Sequence, residues 1–400
     1  MSASKSAPPR SRLWVYARTG ATLLVWLGFL MLAYFINVNG RYGGGDFIVY
    51  VEAGAAVRAG GQVYDLPGDG QSYLYPPLLA IAFAPFATLP FAMLSVGWLA
   101  LQAALLFGVT ALVSQTMSPA RRVWLWLSVP LFAGVFEALI VGQITIVLMT
   151  LFAGAWWAYR SQRYTLVGVL LAAATWIKIY PVLMIVWFIW RRDWRVVAAA
   201  FVAGVMLLAF QIAAGGLDLF ADSLAVIFSL NASGQDWMTA NSSSVTAFTG
   251  RLFGEYPRVV PLLVDPALQA LSRAALTIGL LGGAVWFTRP TRAVTKSDAP
   301  FDLGFSLMIL TALLISPTLW VSGMPPLLLY IWLVWRHLPQ KTGLTIMHWL
   351  LLGVFITIAL FFLFILGYSG DPALNGLQLS YGFYALVVLW IMHVVLLQKL

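Results

Sequence analysis

Hydrophobic residues run along this chain in long blocks separated by short polar segments. The blocks lack the period-two alternation of a membrane β-strand, and many approach the roughly 20 residues that a helix needs to cross a bilayer. Backbone inside a bilayer must satisfy its own hydrogen bonds, so such blocks predict helices. We therefore expect an all-α, polytopic transmembrane bundle of about twelve spans: 19–37, 76–89, 91–114, 122–140, 143–160, 164–190, 195–215, 261–288, 303–320, 322–337, 343–367 and 379–398.

The polar segments define the expected organisation of the chain. Residues 1–18 are basic and rich in Ser and Pro, which predicts a cytoplasmic tail, and residues 19–400 are expected to form a single integral-membrane domain. Two longer polar interruptions, 38–75 and 216–260, are predicted outer loops. The first of them is expected to contain short interfacial helices.

Composition supports a membrane protein. The sequence is 61% hydrophobic and only 9% charged, whereas soluble domains contain about 25% charged residues. The net charge of +9 fits anionic lipid headgroups and positively charged cytoplasmic loops, and we expect no nucleic-acid partner. Cysteine is absent, which excludes a thiolate nucleophile and a disulfide.

Alternation of the twelve spans from a cytoplasmic N-terminus places thirteen basic residues inside and nine outside. Four arginines fall on the outer side, against the positive-inside tendency: Arg121, Arg122, Arg160 and Arg163. Ten of the fourteen carboxylates also fall outside. The chemistry is therefore expected at the outer face of a bacterial cytoplasmic membrane.

The segment Gly40–Pro77 holds the leading candidate for a catalytic residue. Asp46 comes ten residues after Ile36, the last residue of the first apolar block, so it is expected at the membrane–water boundary. A carboxylate placed there can act as a catalytic base on an incoming hydroxyl group. Spacing alone favours a simpler role, in which Asp46 caps a short helix, since Asp is a favoured N-cap, and the two roles are compatible.

Two ionisable residues lie within predicted spans, where charge is costly and often functional. Lys178 precedes Pro181 by three residues, and Glu137 precedes Gln143 by six. Lys178 is a candidate for holding a lipid phosphate. The alternatives are that Lys178 snorkels, or that it pairs with Glu137 only to join helices.

Further polar and aromatic residues are candidates to line a cavity at the outer face. Loop arginines there are candidates to bind a donor phosphate: Arg58 and Arg251. The expected lining residues are Glu52, Tyr64, Tyr75, Glu137, Gln143, Asn241 and Ser243. No nucleotide–metal motif appears, so we expect neither a metal nor a cofactor.

Several ordered elements resemble glycosyltransferase family 87, a family of polyprenol-phosphate-sugar-dependent membrane enzymes. They are DFIVYVEAGAAVRAGGQVYD, YLYPPLLAIAFAPFATLP, VGQITIVLMTLFAGAWWAYRSQRYTLVGVLLAAATWIKIYP, WRRDWR, ANSSSVTAFTGRLFG and a Ser-Pro at Ser316–Pro317. They occur in family order across about residues 40–325. The resemblance implies a C-type glycosyltransferase fold.

The resemblance also implies roles for individual residues. The family's catalytic Asp in the first outer loop falls on Asp46, its Lys on Lys178, and its Asn-x-Ser element on Asn241 and Ser243. One segment departs from the pattern. Relatives often carry a His or a Tyr-Asp pair after the Ser-Pro, where this chain has Trp-Val-Ser-Gly at 320–323.

The sequence therefore predicts an inverting hexosyltransferase that moves a sugar, with mannose as the family-level expectation, from a polyprenyl phosphate carrier. The expected acceptor is a lipid or glycan. A lipid or solute transporter, or flippase, is the alternative, since Lys178 and Glu137 would also suit a transport site. A non-catalytic scaffold in envelope assembly is a third reading.

Overall fold

The computed structural model describes residues 9–39, 45–65, 73–232, 242–256, 259–289, 299–338, 346–367 and 374–398. The described residues are predominantly helical, which confirms the predicted all-α class. The helices are α1 Pro9–Asn39, α2 Gly45–Ala59, α3 Pro77–Phe83, α4 Phe91–Ser114, α5 Pro119–Leu131, α6 Ala133–Val141, α7 Thr145–Arg160, α8 Tyr164–Ile177, α9 Val182–Trp190, α10 Trp194–Ala232, α11 Val245–Phe253, α12 Pro266–Phe287, α13 Ala299–Ile315, α14 Pro325–His337, α15 Ile346–Gly367 and α16 Tyr381–Gln398.

Short 3₁₀ turns and one small strand pair complete the described chain. The turns are Ala84–Phe86, Val321–Gly323 and Gln378–Ser380. The strands β1 (Val259–Val260) and β2 (Leu374–Asn375) pair in parallel.

Helices α7, α13 and α14 form the centre of the bundle, and nearly every side chain of α13 and α14 is buried. The longer helices α1, α10 and α12 lie outside this centre and expose large apolar side chains. Leu24, Phe201 and Ile278 are each at least 70% exposed. In a bilayer this surface would meet lipid rather than water.

Five helices in the described part of the chain are long and apolar enough to cross a membrane. The count becomes six if α5 and α6, which are bent by 47° relative to each other, form one broken span. Pro130 lies at this bend and lacks the backbone N–H that a continuous helix needs. Other apolar helices are shorter, and the predicted total of about twelve spans stays a prediction.

The predicted single span 164–190 is in fact two helices that run in opposite directions. Tyr164, which begins α8, and Phe188, near the end of α9, both pack on Tyr159, with ring centroids 5.4 Å away in each case. Between the helices Lys178 is extended, with φ −138° and ψ 144°, and Pro181 follows. Pro181 has no backbone N–H to continue the hydrogen bonds of α8, and the apolar block folds back as a hairpin with Lys178 at its tip.

The short α3 and the α8–α9 hairpin change the predicted arrangement of charges. Arg121 donates to the backbone carbonyl of Arg336, and Arg160 and Arg336 bind the same carboxylate, Asp302. Arg191 lies against Tyr159, next to Arg160. Alternation had separated the first two arginines from the others, and the structure places all four at one end of the bundle.

We call this end, with the loops that carry Arg121, Arg160, Arg191 and Arg336, the basic end. The opposite end carries Asp46. The alternation separated these arginines because it counts 76–89 as a full membrane crossing. In the structure, α3 and its 3₁₀ turn contain only ten residues. Counting the α8–α9 hairpin as one span reversed the parity again, so that Arg191 and Arg336 fall at the same end in the alternation as in the structure.

Candidate functional site

Asp46 lies in the first turn of α2, which begins at Gly45. Its Oδ2 atom accepts a hydrogen bond of 2.9 Å from Gln143 Nε2, so the carboxylate is committed to a residue far away in sequence. Oδ1 has no partner among the described residues. The positive end of the α2 dipole favours a negative charge at this position.

Gln143 lies in the turn between α6 and α7 and is fully buried. Its Oε1 atom accepts hydrogen bonds from the hydroxyl groups of Tyr50, at 2.6 Å, and Tyr75, at 3.0 Å. These two donors fix the orientation of the amide, and its Nε2 group then points to Asp46. The neighbouring Gly142 has φ 69°, and a Cβ atom there would approach Phe47 Cβ to 2.6 Å, so the turn requires glycine.

Lys178 reaches the same site from the tip of the α8–α9 hairpin. Its Nζ atom lies 5.2 Å from the centroid of the Tyr75 ring, within the range of a cation–π contact. The ammonium also interacts electrostatically with Asp46. The hairpin therefore brings a cation to the carboxylate.

Burial raises the pKa of Asp46 from 3.8 to about 6, because a carboxylate removed from water loses hydration. The positive charge of Lys178 opposes this rise. Asp46 is thus ionised near neutral pH and is a stronger base than an ordinary aspartate. Such a shifted carboxylate beside a specific charge is typical of catalytic sites.

Glu137 and the 3₁₀ turn Val321–Gly323 complete the site from the other side. The backbone N–H of Ser322 donates a hydrogen bond to the Glu137 carboxylate, which also interacts electrostatically with Asp46. Thr145, at the start of α7, binds the Ser322 carbonyl through its hydroxyl group. The segment that departs from the family pattern in sequence is thus held against the acidic site.

Other predicted residues of the first loop lie further from Asp46. Arg58 is exposed in the last turn of α2, and twelve residues of helix separate it from Asp46 by about 18 Å. Glu52 is exposed on the same helix. Tyr64 donates to the Tyr75 carbonyl at 2.9 Å, so it supports the site without lining it directly.

The second predicted loop provides structural contacts. Arg251 is fully buried and donates to the Ser242 carbonyl at 2.7 Å and to Ser380 at 3.0 Å, so it ties α11 to the turn before α16. The backbone N–H of Ser243 donates to the Leu319 carbonyl at 2.8 Å. Asn241 lies outside the described residues.

Sequence reasoning missed Tyr50 and Gln102. Tyr50 lies four residues after Asp46, on the same face of α2, which is the signal that would have found it. Gln102 Nε2 donates to the Gln143 carbonyl at 2.6 Å from the middle of α4, and the signal that would have found it is a polar amide within an apolar block. In the described ranges, no three His, Asp or Glu side chains are grouped so that they could hold a metal ion.

Comparisons with known proteins identify the family of the chain. The model of the family described as Glycosyltransferase family 87 matches residues 73–317. A polyprenol-phosphate-mannose-dependent alpha-(1-2)-phosphatidylinositol pentamannoside mannosyltransferase of Mycobacterium tuberculosis (strain CDC 1551 / Oshkosh) is 26% identical over 327 residues, covering 76% of this chain and 69% of the relative.

A polyprenol-phosphate-mannose-dependent alpha-(1-2)-phosphatidylinositol mannoside mannosyltransferase of Mycolicibacterium smegmatis (strain ATCC 700084 / mc(2)155) is 28% identical over 327 residues. That match covers 74% of this chain and 69% of the relative. No solved structure matches the chain. The family match spans more than half of an apolar helical bundle, and the chain is an integral membrane protein that belongs to glycosyltransferase family 87.

Proposed function

We propose that this protein transfers mannose from a polyprenyl phosphate carrier to an acceptor hydroxyl group, with inversion at the anomeric carbon and with Asp46 as the catalytic base. The donor class follows from the relatives, whose names give polyprenol-phosphate-mannose dependence. The observation that carries the proposal is the half-buried Asp46 carboxylate, fixed by Gln143 and close to Lys178.

The proposed reaction is a single displacement. The acceptor oxygen attacks the anomeric carbon, and its proton passes to the Asp46 carboxylate through Oδ1, because Oδ2 is occupied by Gln143. The bond from the anomeric carbon to the phosphate oxygen breaks, and its electron pair leaves with the polyprenyl phosphate. Lys178 would stabilise the charge that develops on this leaving group.

We further propose that the Asp46 end faces outward. The positive-inside tendency supports this orientation, because described basic residues gather at the opposite end. The arginines of four separate loops lie there: Arg121, Arg160, Arg191 and Arg336. A polyprenyl phosphate would then lie with its chain in the bilayer and its sugar at the outer surface.

Asp46→Asn tests the role of the base. We expect turnover to fall by about 10²–10⁴-fold, the usual contribution of general base catalysis. The asparagine oxygen still accepts the hydrogen bond from Gln143, so the unfolding temperature should not fall. The measurement is release of polyprenyl phosphate from radiolabelled polyprenyl phosphate mannose by purified protein, supplied with a lipid and glycan extract of bacterial membranes.

Asp265→Asn is the matched control, since Asp265 only caps α12 by accepting from the backbone of Ala267 and Leu268. It should turn over donor at the wild-type rate. Wild-type turnover by Asp46→Asn would remove Asp46 from the mechanism. A wild-type protein that releases no polyprenyl phosphate under these conditions would contradict the proposed function itself.

A further inference from the structure

Glu137 is a half-buried acid with a fully buried Oε2 atom, and the proposed displacement does not use it. It lies in α6, within the bent α5–α6 segment that is apolar enough to cross a membrane. An ionisable side chain in such a segment is costly and marks a functional position unless a structural partner accounts for it. The partners of Glu137 therefore decide whether its role is functional or structural.

Only one of the two carboxylate oxygens of Glu137 has a partner. The Ser322 N–H donates to the carboxylate, and Oε2 is buried without any hydrogen-bond partner among the described residues. Native proteins satisfy most buried polar atoms, so an unpaired one calls for a ligand or a water molecule. The unpaired oxygen is thus the unexplained atom of the site.

The helix-joining alternative from sequence does not account for this atom. Lys178 contacts the Tyr75 ring and interacts electrostatically with Asp46. In the part of the chain that the structure describes, Glu137 forms no ion pair. The nearby charge that acts on Glu137 is that of another acid, Asp46.

The chemistry of the missing partner follows from these neighbours. A phosphate would be repelled by the Asp46 carboxylate, and a polyprenyl chain has no hydrogen-bond donor. A neutral hydroxyl group can donate to Glu137 Oε2 at close range. Glu137 also lies four residues before the end of α6 at Val141, about 6 Å deeper along the helix direction than the turn that holds Asp46.

We propose that Glu137 Oε2 accepts a hydrogen bond from a hydroxyl group of the donor sugar, with the Ser322 N–H holding the carboxylate in place. This inference rests on the proposed function, because it assumes a sugar attached to a polyprenyl phosphate. Glu137 is then a sugar-binding residue that orients the donor, while Asp46 acts on the acceptor. In this arrangement the segment 320–323 contributes the backbone N–H of Ser322 and no side chain.

The test compares two ligands that differ only in the sugar: polyprenyl phosphate mannose and polyprenyl phosphate. Affinities are measured by microscale thermophoresis on full-length protein in lipid nanodiscs. Glu137→Gln should weaken binding of the mannose-bearing ligand about tenfold, because the glutamine oxygen that accepts from Ser322 leaves an NH2 group, which cannot accept a hydrogen bond, in the place of Oε2. It should leave binding of polyprenyl phosphate unchanged, and the glutamine oxygen can still accept from Ser322.

Glu255→Gln is the matched control: the same substitution at an exposed residue, expected to bind both ligands as the wild type does. Equal loss for both ligands in Glu137→Gln would indicate a structural role and overturn the inference. Wild-type affinity for the mannose-bearing ligand would overturn it as well. A wild-type protein that binds neither ligand would contradict the proposed function, whereas the two outcomes above contradict only the role of Glu137.

Kinetics supply a second readout that a structural role would not produce. Glu137→Gln should raise the KM for the donor, while the pH at which kcat is half-maximal stays near that of the wild type. Asp46→Asn should show the reverse, with donor affinity kept and kcat lost. An unchanged KM in Glu137→Gln would contradict the assignment of this residue to the sugar.

Discussion

Two aspartates at opposite ends of the bundle contrast a structural carboxylate with the one that we propose as the catalytic base. Asp302, in the first turn of α13, is fully buried and accepts hydrogen bonds on both oxygens. Its donors come from α7 and α14: Trp156 at 2.7 Å, Arg160 at 3.1 Å, Arg336 at 2.6 Å and His337 at 2.8 Å. Asp46 has one donor, Gln143, and one nearby cation.

The difference lies in the number of partners, since both residues are aspartates in the first turn of a helix. The cluster around Asp302 leaves neither oxygen for a ligand, and it joins three central helices. The site around Asp46 leaves Oδ1 without a protein partner and keeps the charge poorly hydrated. A carboxylate whose oxygens all have hydrogen-bond donors stabilises the fold, whereas a carboxylate with an oxygen left without a donor can accept a proton.

The largest expected effect concerns the sides of the membrane on which the two ends lie. The chain has no cysteine, so single cysteines report location without background. Ser161→Cys lies at the basic end and Glu255→Cys at the Asp46 end, and both positions are exposed. A membrane-impermeant maleimide applied to intact spheroplasts should label position 255 and leave position 161 unlabelled.

Permeabilised cells provide the control, because both cysteines should then react. Labelling of position 161 alone in intact spheroplasts would show that the Asp46 end faces the cytoplasm. The proposed orientation would then be wrong, while the comparison of the two aspartates would stand.

The second effect is on stability. Asp302→Asn removes the charge that Arg160 and Arg336 share, and it should destabilise the fold by roughly 3 kcal/mol. This is the lower end of the range for breaking a buried ion pair, because the arginines are 17–19% exposed. Thermal unfolding in detergent measures the effect, and the folded fraction should keep its turnover of donor.

Asp265→Asn should unfold at the wild-type temperature, since the amide oxygen preserves the cap of α12. An unfolding temperature of Asp302→Asn equal to that of the wild type would mean that the cluster contributes little to stability. Loss of turnover in fully folded Asp302→Asn would mean that the two ends are coupled.

The apolar blocks were enough to predict the helices, and α4 has the predicted bounds 91–114. The α8–α9 hairpin could not be predicted from composition, because an apolar block is equally suitable for crossing a bilayer and for folding back. The decision depends on the local break from Lys178 to Pro181 and on packing against Tyr159. Both of those depend on tertiary structure.

The candidate site, like the fold, could be predicted only in part. The structure brings together five of the predicted residues: Asp46, Tyr75, Glu137, Gln143 and Lys178. It leaves Arg58 and Arg251 apart from them, because charge in a sequence carries no information about depth or direction. For Arg58 helix geometry alone gives the distance, while the buried contacts of Arg251 require the fold.

The smallest expected effect is a shift in pH dependence. Asp46 must be ionised to accept a proton, and burial raises its pKa to about 6. Turnover by the wild type should therefore rise with pH, reach half its maximum near pH 6 and level off above it. Lys178→Met removes the charge that opposes the rise, so the pKa of Asp46 increases and the half-maximum moves to higher pH.

Each unit of this shift lowers turnover on the acidic limb about tenfold relative to the plateau. The measurement is the ratio of donor turnover at pH 6 to that at pH 8, which is independent of any loss of kcat from weaker phosphate stabilisation. Lys178→Arg keeps the positive charge and should retain the wild-type ratio. If Lys178→Met has the same ratio as Lys178→Arg, the positive charge of Lys178 does not set the pKa of Asp46.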